Sequence, residues 1–315
     1  MALKKIKKMK RRDFLMKSVG AGIVTGASLS FTGYNKMFGA GFNDNQGPYD
    51  LVAARGGEPE EMFDKAIEAM GGMESYVKPG QSVLVKPNIG WDVIPERGAN
   101  TNPGLVKRVI EHCFEAGARE VVVFDHTCDN WRRSYQNSGI EAAVNAAGGT
   151  IRPGNDESLY RDITVPGGRQ LKEGKVHHLV QETDVFINIP VLKHHGGAQI
   201  TISLKNLMGI IWDRRWWHRN NLQQCIADFG TFRKPDLNIV DAYRVMLQNG
   251  PRGVSEDDIV LMKSLIISPD MVAADTAAAR LFGATPAQID HIRIAHEMGV
   301  GNMELENQSI HRIVV

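Results

Sequence analysis

Strands and helices alternate along this chain, and the alternation predicts an α/β fold. The expected form is an open, layered, mostly parallel sheet flanked by helices, Rossmann-like, with a small turn-rich insertion. Three observations carry that expectation. A strand–helix–strand unit fills residues 82–124. Further apolar runs of strand length recur downstream between helical segments. Residues 151–175 interrupt the pattern with Pro153-Gly154 and Pro166-Gly167-Gly168, and read as a small hairpin or loop.

Each element has a local reason. Met62, Ala66, Ile67 and Met70 recur at helical spacing, and Gly71-Gly72 ends that helix. Residues 82–85 form a short buried strand after the Pro79-Gly80 turn. Asn102 precedes Pro103, a favoured first helical residue. Leu105, Val106, Val109, Ile110, Cys113 and Phe114 then line one helix face, which Gly117 closes. Residues 120–124 are the next buried strand. The unit is therefore βαβ, implying parallel pairing and a right-handed crossover. Residues 140–147 read as a helix. Residues 184–191, 237–240 and 264–267 read as strands, 272–282 and 286–298 as helices, and 310–315 as an edge strand.

The first forty of the 315 residues have a different character. Lys4, Lys5, Lys7, Lys8 and Lys10 lead into Arg11-Arg12-Asp13-Phe14-Leu15-Met16-Lys17, and a weakly apolar, glycine-laced run follows from Val19 to Phe31. A basic segment before a short apolar one is the layout of an export signal. The paired arginines resemble the twin-arginine type, an address read by the twin-arginine translocase. The apolar run falls short of the roughly 20 residues of a membrane span. The expected location is periplasmic or otherwise extracytoplasmic, and tethering by an uncleaved signal stays open. Residues 1–40 are thus the signal segment, 41–50 a linker and 51–315 a single α/β domain.

Charge narrows the partners. The chain carries 37 basic and 36 acidic residues. Removing the nine basic and one acidic residues of 1–40 leaves 28 and 35, a net −7 for residues 41–315. A body of that sign is not a general nucleic-acid binder. Cys113, Cys128 and Cys225 are odd in number and far apart, and form no disulfide framework.

Ligands of open parallel sheets bind beyond the carboxyl ends of the strands. There this sequence places Lys86-Pro87-Asn88, then Asp125-His126-Thr127-Cys128-Asp129, then Lys193-His194-His195-Gly196-Gly197, and Asp241. Lys205 and Asn206 interrupt an apolar stretch, and in a helix they share a face with Ile202 and Gly209. Lys86, Lys193 and Lys205 suggest a pocket for a phosphate or carboxylate, with Asn88, Asn206 and Gly209 beside them. His194 or His195 is the candidate acid/base, together with Lys193. Asp125, His126 and Asp241 could instead hold a divalent metal, although no local ligand spacing supports it. The segment Trp212-Asp213-Arg214-Arg215-Trp216-Trp217-His218-Arg219 reads either as a lid or partner surface, or as a helix packing its tryptophans on the sheet.

Several motifs arrive in order: Lys86-Pro87-Asn88, Pro190-Val191-Leu192-Lys193-His194-His195 and Lys205-Asn206-Leu207-Met208-Gly209. Asp241-Ala242, Gly250-Pro251, Ser268-Pro269-Asp270 and Ala273-Ala274-Asp275 follow. Together they resemble the uncharacterised family catalogued as domain of unknown function 362, over residues 50–300. The resemblance implies a fold and a site but names no reaction. Many relatives carry ferredoxin-like cysteine clusters, and some carry twin-arginine signals. Three scattered cysteines cannot hold a four-iron cluster, so an iron–sulfur centre is not expected here. Two readings of function remain. One is an exported oxidoreductase or other cofactor-dependent enzyme that binds a small anionic ligand, an anionic organic cofactor or a divalent metal. The other is a non-enzymatic accessory protein that docks on a redox partner protein.

Overall fold

The computed structural model describes residues 48–315, so the expected signal and nearly all of the linker lie outside the described residues. The strands are β1 (Leu51–Arg55), β2 (Ser82–Pro87), β3 (Glu120–Val123), β4 (Thr150–Ile151), β5 (Tyr160–Thr164), β6 (Glu173–His177), β7 (Val185–Ile189), β8 (Val191–His195), β9 (Gln199–Thr201), β10 (Leu237–Met246), β11 (Ile259–Ser268) and β12 (Ile310–Val314). The helices are α1 (Pro59–Ala69), α2 (Pro103–Glu115), α3 (Trp131–Asn137), α4 (Ile140–Ala146), α5 (Leu179–Glu182), α6 (Ser203–Asn206), α7 (Arg214–Arg219), α8 (Leu222–Phe229), α9 (Met271–Leu281) and α10 (Asp290–Glu297). None of these helices is long and apolar enough to cross a membrane.

Ten strands form one mixed, mostly parallel sheet in the order β12-β1-β11-β10-β7-β2-β3-β4, with β8 branching from β10 and β9 paired to β8. The run β10-β7-β2-β3-β4 is parallel throughout. Strand β11 is antiparallel to both β10 and β1. The expected βαβ unit is β2-α2-β3, with Ser82 opposite Glu120 and Val85 opposite Val123. The Asn102 side chain accepts the amides of Gly104 and Leu105, which fixes the start of α2.

Side-chain alternation along the strands divides the interior into two layers. Val83, Val85, Val121, Val123, Ile187 and Ile189 face α1, α2 and α4. Leu84, Val122, Phe186 and Val240 face the opposite layer of α8, α9 and α10. Each fully buried Val, Leu or Ile contributes about 1.5–3 kcal/mol, so the sheet is held from both faces.

Three departures from expectation have clear causes. The strand expected over 184–191 splits at Pro190, which has no N–H for the ladder. Strand β7 stays between β2 and β10, whereas β8 pairs only with β10 and β9. The strands expected over 237–240 and 264–267 extend to ten residues each. Their outer halves pair with one another beyond a register shift between Ala242 and Arg244, and Arg244 and Lys263 interrupt the apolar run of each strand. The turn-rich stretch contains the β5–β6 hairpin.

Candidate functional site

Beyond the carboxyl ends of β2 and β3 lies a cavity of about 730 Å³, of the size that takes a small organic ligand. Its walls come from the segments after those strands, from β8, from α6 and from the Trp212–His218 stretch. The break at Pro190 makes room for it, because β8 turns away from β2 where β7 had paired with it.

Lys86 is the last residue but one of β2 and is fully buried. Its Nζ lies 3.0 Å from Asp125 Oδ1 and donates to Asn206 Oδ1 at 2.9 Å and to the Pro87 carbonyl at 3.0 Å. Burial pulls the Lys86 pKa down, and the Asp125 carboxylate opposes that pull. The other Asp125 oxygen accepts the Ile89 amide at 2.7 Å. Gly209 is what lets this pair form: a Cβ there would stand 1.8 Å from Asp125 Oδ1 and 2.6 Å from Lys86 Nζ.

Asn206 joins the parts. Its Oδ1 also accepts from Asn88 at 2.9 Å, and its Nδ2 donates to Asn188 Oδ1 at 2.9 Å. Asn188 in turn donates to Asn238 Oδ1 at 3.0 Å. Asn188 and Asn238 sit inside apolar strand runs and are missing from the candidate residues above. Their signal was an amide at a buried strand position, which requires a partner.

Lys193 is 1% exposed. Its Nζ donates to Asn88 Oδ1 at 3.1 Å and closely to the Ala99 carbonyl. It makes no ion pair among the described residues, and burial pulls its pKa to about 7. Lys205, on α6, differs again. It is 9% exposed, lines the cavity, and its side chain makes no hydrogen bond or ion pair among the described residues. Burial, with Arg214 and Lys86 nearby, pulls its pKa to about 8 against the opposing influence of Cys128. The Thr201 hydroxyl on the cavity wall is likewise buried without a partner.

The two adjacent histidines part company, as strand alternation requires. His195 shares a face with Lys193 and lines the cavity. Its Nδ1 accepts the amides of Gly197 and Ala198, both at 3.0 Å, so the ring proton belongs on Nε2. Burial, then the neighbouring Lys205 and Lys193, pull its pKa to about 2, and it stays neutral. His194 points away from the cavity and accepts the Gly250 amide at 3.1 Å. It is therefore not the candidate acid/base.

The expected metal ligands do not converge. Asp125 is committed to Lys86 and Ile89. His126 does line the cavity, with its Nδ1 on the Ile211 carbonyl at 3.1 Å and its ring stacked on Trp212 at 5.0 Å. Asp241 lies on the opposite face of the sheet. β10 continues through it, and its carboxylate accepts the amides of Asn102 at 2.7 Å and Tyr243 at 3.0 Å. Burial raises its pKa to about 6. Among the described residues no three His, Cys, Asp or Glu side chains are grouped to hold a metal ion. These residues do not fit a divalent metal.

The Trp/Arg segment divides its roles. Trp217 is buried against Phe229 at 5.4 Å, whereas Trp212 forms cavity wall and Trp216 is exposed. The Arg214 guanidinium caps the His126 and Thr127 carbonyls. Trp131 packs edge-on against Tyr135 and is not part of the cavity. In sum, five cationic side chains and two carboxylates line the cavity, and one of those carboxylates is already paired.

The domain of unknown function DUF362 matches residues 83–280, the stretch that contains every one of these lining residues. The chain belongs to the DUF362 family. This DUF362 chain is 27% identical over 253 residues to the "Thylakoid-associated protein sll1697" of Synechocystis sp., covering 74% of this chain and 73% of that one. Two solved structures are similar at low identity. One is a Thermotoga maritima protein, with a TM-score of 0.45 and 11% identity, covering 76% of this chain and 60% of that one. The other is the lactate racemase apoprotein from Thermoanaerobacterium thermosaccharolyticum, with a TM-score of 0.40 and 12% identity, covering 71% and 55%. The DUF362 chain thus spans less than two thirds of either solved chain.

Proposed function

We propose that this DUF362 protein binds a small organic anion in the cavity, with Lys205 as its principal charge clamp and Lys193 and Lys86 as the surrounding positive field. One observation carries the reading: an unpaired, nearly buried ammonium points into a cavity whose cations outnumber its carboxylates. Water solvates such a group poorly there, and an anion supplies the missing partner. Asn88 orients the ligand, Asn206 holds Asn88 and Lys86 in place, and His195 Nε2–H is a neutral donor. The flat Trp212–His126 pair forms an apolar wall suited to a planar ligand. An oxidoreductase or other enzyme that uses an anionic organic cofactor fits this arrangement better than one that uses a metal.

Calorimetric titration of the full chain with phosphate, pyrophosphate, citrate and malonate tests the binding. At least one should bind at submillimolar concentration, and Lys205→Met should weaken it by tenfold or more without lowering the melting temperature. If none binds, or if Lys205→Met binds as the parent does, the reading fails.

Export by the twin-arginine translocase rests on Arg11-Arg12 and the segment after them. Changing both to lysine should leave the chain in the cytoplasm, and unchanged export would refute this. The exposed Trp216 beside exposed Arg215 favours a second reading, a surface for a redox partner protein. Loss of a stoichiometric periplasmic partner on Trp216→Ala would support it.

A further inference from the structure

We infer that Lys205 is a point of covalent attachment, whose Nζ condenses with the carbonyl carbon of an anionic aldehyde or keto acid held in the cavity. This rests on the anion-binding reading and names the class of anion. Three lysines reach the cavity, and their surroundings give them different chemistry. Lys86 is held by Asp125, Asn206 and a backbone carbonyl, and has nothing left to offer. The Lys193 amine is tied to two oxygens, Asn88 Oδ1 and the Ala99 carbonyl. Lys205 alone has an Nζ with no hydrogen bond or ion pair among the described residues, while nine-tenths of the residue is buried.

An attacking amine must have a free lone pair. Burial and a neighbouring cation are the two devices that deprotonate a lysine near neutral pH. Lys205 has both: it is buried, and Arg214 and Lys86 are its cationic neighbours. Cys128 and, more weakly, Asp125 favour its ammonium, but the Asp125 oxygens are committed to Lys86 and to the Ile89 amide. The same positive surroundings that disfavour the ammonium attract the carboxylate or phosphate of the incoming molecule, and so hold its carbonyl near Nζ.

The step balances without a further reactant. The Nζ lone pair forms a bond to the carbonyl carbon, and the carbonyl oxygen takes up a proton to give a carbinolamine. The hydroxyl then leaves as water, the nitrogen gives up its remaining proton, and a C=N bond remains. The two protons of the neutral amine end up on the departing oxygen as water, and the His195 Nε2–H on the same wall can hydrogen-bond to that oxygen without giving up its proton.

Trapping tests the inference. The full-length protein is incubated at pH 7 with glyoxylate or pyruvate and cyanoborohydride, which reduces the imine to a stable secondary amine, and labelled peptides are read by mass spectrometry. At pH 7 the free-amine fraction of a lysine with pKa about 8 exceeds that of an ordinary lysine by about 10²-fold. Lys193, at about 7, has a still larger free-amine fraction, but its Nζ is tied to two oxygens; label should concentrate at Lys205 and disappear in Lys205→Arg, and label at Lys193 instead overturns the inference. If that variant does not fold by circular dichroism, Lys205→Met replaces it. Label spread over surface lysines, or unchanged in the variant, overturns the inference. Malonate, which has no aldehyde or ketone, separates the two levels. If malonate binds and no label forms at Lys205, the imine is wrong and the anion site stands. If none of phosphate, pyrophosphate, citrate and malonate binds and no label forms, both fall.

Discussion

Gly209 shows how one missing atom holds a site together. Any side chain there would occupy the space of the Lys86–Asp125 contact. Gly209→Ala should force the pair apart and lower stability by about 3 kcal/mol, the cost of breaking a buried ion pair. Urea unfolding measures it, and a loss below about 1 kcal/mol would mean that the pair shifts without separating. Lys193 makes a prediction in pH. Folded, it gives up its proton at about 7, against an ordinary 10.5. Between those values the unfolded chain binds more protons, so this lysine makes stability rise with pH. Lys193→Met should flatten the stability–pH curve between pH 7 and 10, and an unchanged slope would assign the rise to other groups. Lys86, Asn88, Lys193, Lys205 and Asn206 were legible in the sequence because polar residues stood out at strand ends or in an apolar stretch. Asp241 misled because its strand appeared to end at Val240, whereas β10 carries it on to the other face of the sheet.

Helix α6 is one turn long and cannot stand alone. It is held at its start by Asp275 on α9, whose two oxygens accept the amides of Ser203 at 2.7 Å and Leu204 at 3.0 Å. The element that presents Lys205 and Asn206 is thus fixed by a carboxylate 71 residues beyond Leu204 in the chain. Burial raises the Asp275 pKa to about 7, even though these two amides pull it down. A carboxyl that protonates more readily when folded contributes stability that is complete at low pH and lost as pH rises through about 7. Asp275→Asn should remove that part of the pH dependence between pH 4 and 7 and cost about 1 kcal/mol, because the amide keeps only one acceptor. Chemical denaturation across that range checks it, and a parallel curve for the variant would contradict it. The helices α1, α2 and α9 were legible from periodicity and caps. Strand β1 and helices α3 and α6 were not, because they are too short for a periodic signal and depend on tertiary partners.

At the scale of the molecule, the α/β class and the mostly parallel order of the central strands followed from alternating elements. The long antiparallel β10–β11 pair did not, because Arg244 and Lys263 interrupt its two apolar runs. The sheet edge also gathers charge of one sign inside a body of the other: residues 41–315 carry a net −7, yet five cations line the cavity. That contrast has a consequence for encounter. With residues 1–40 removed, a distant anion meets repulsion from the whole body and feels attraction only near the mouth. Salt screens charges beyond about 10 Å at 0.1 M and acts less on the enclosed pairings. Raising ionic strength from very low values should therefore speed the association of a small anion, the reverse of ordinary electrostatic steering. The same salt should also shorten the residence time of the anion once bound, so stopped-flow traces should show both rate constants rising together.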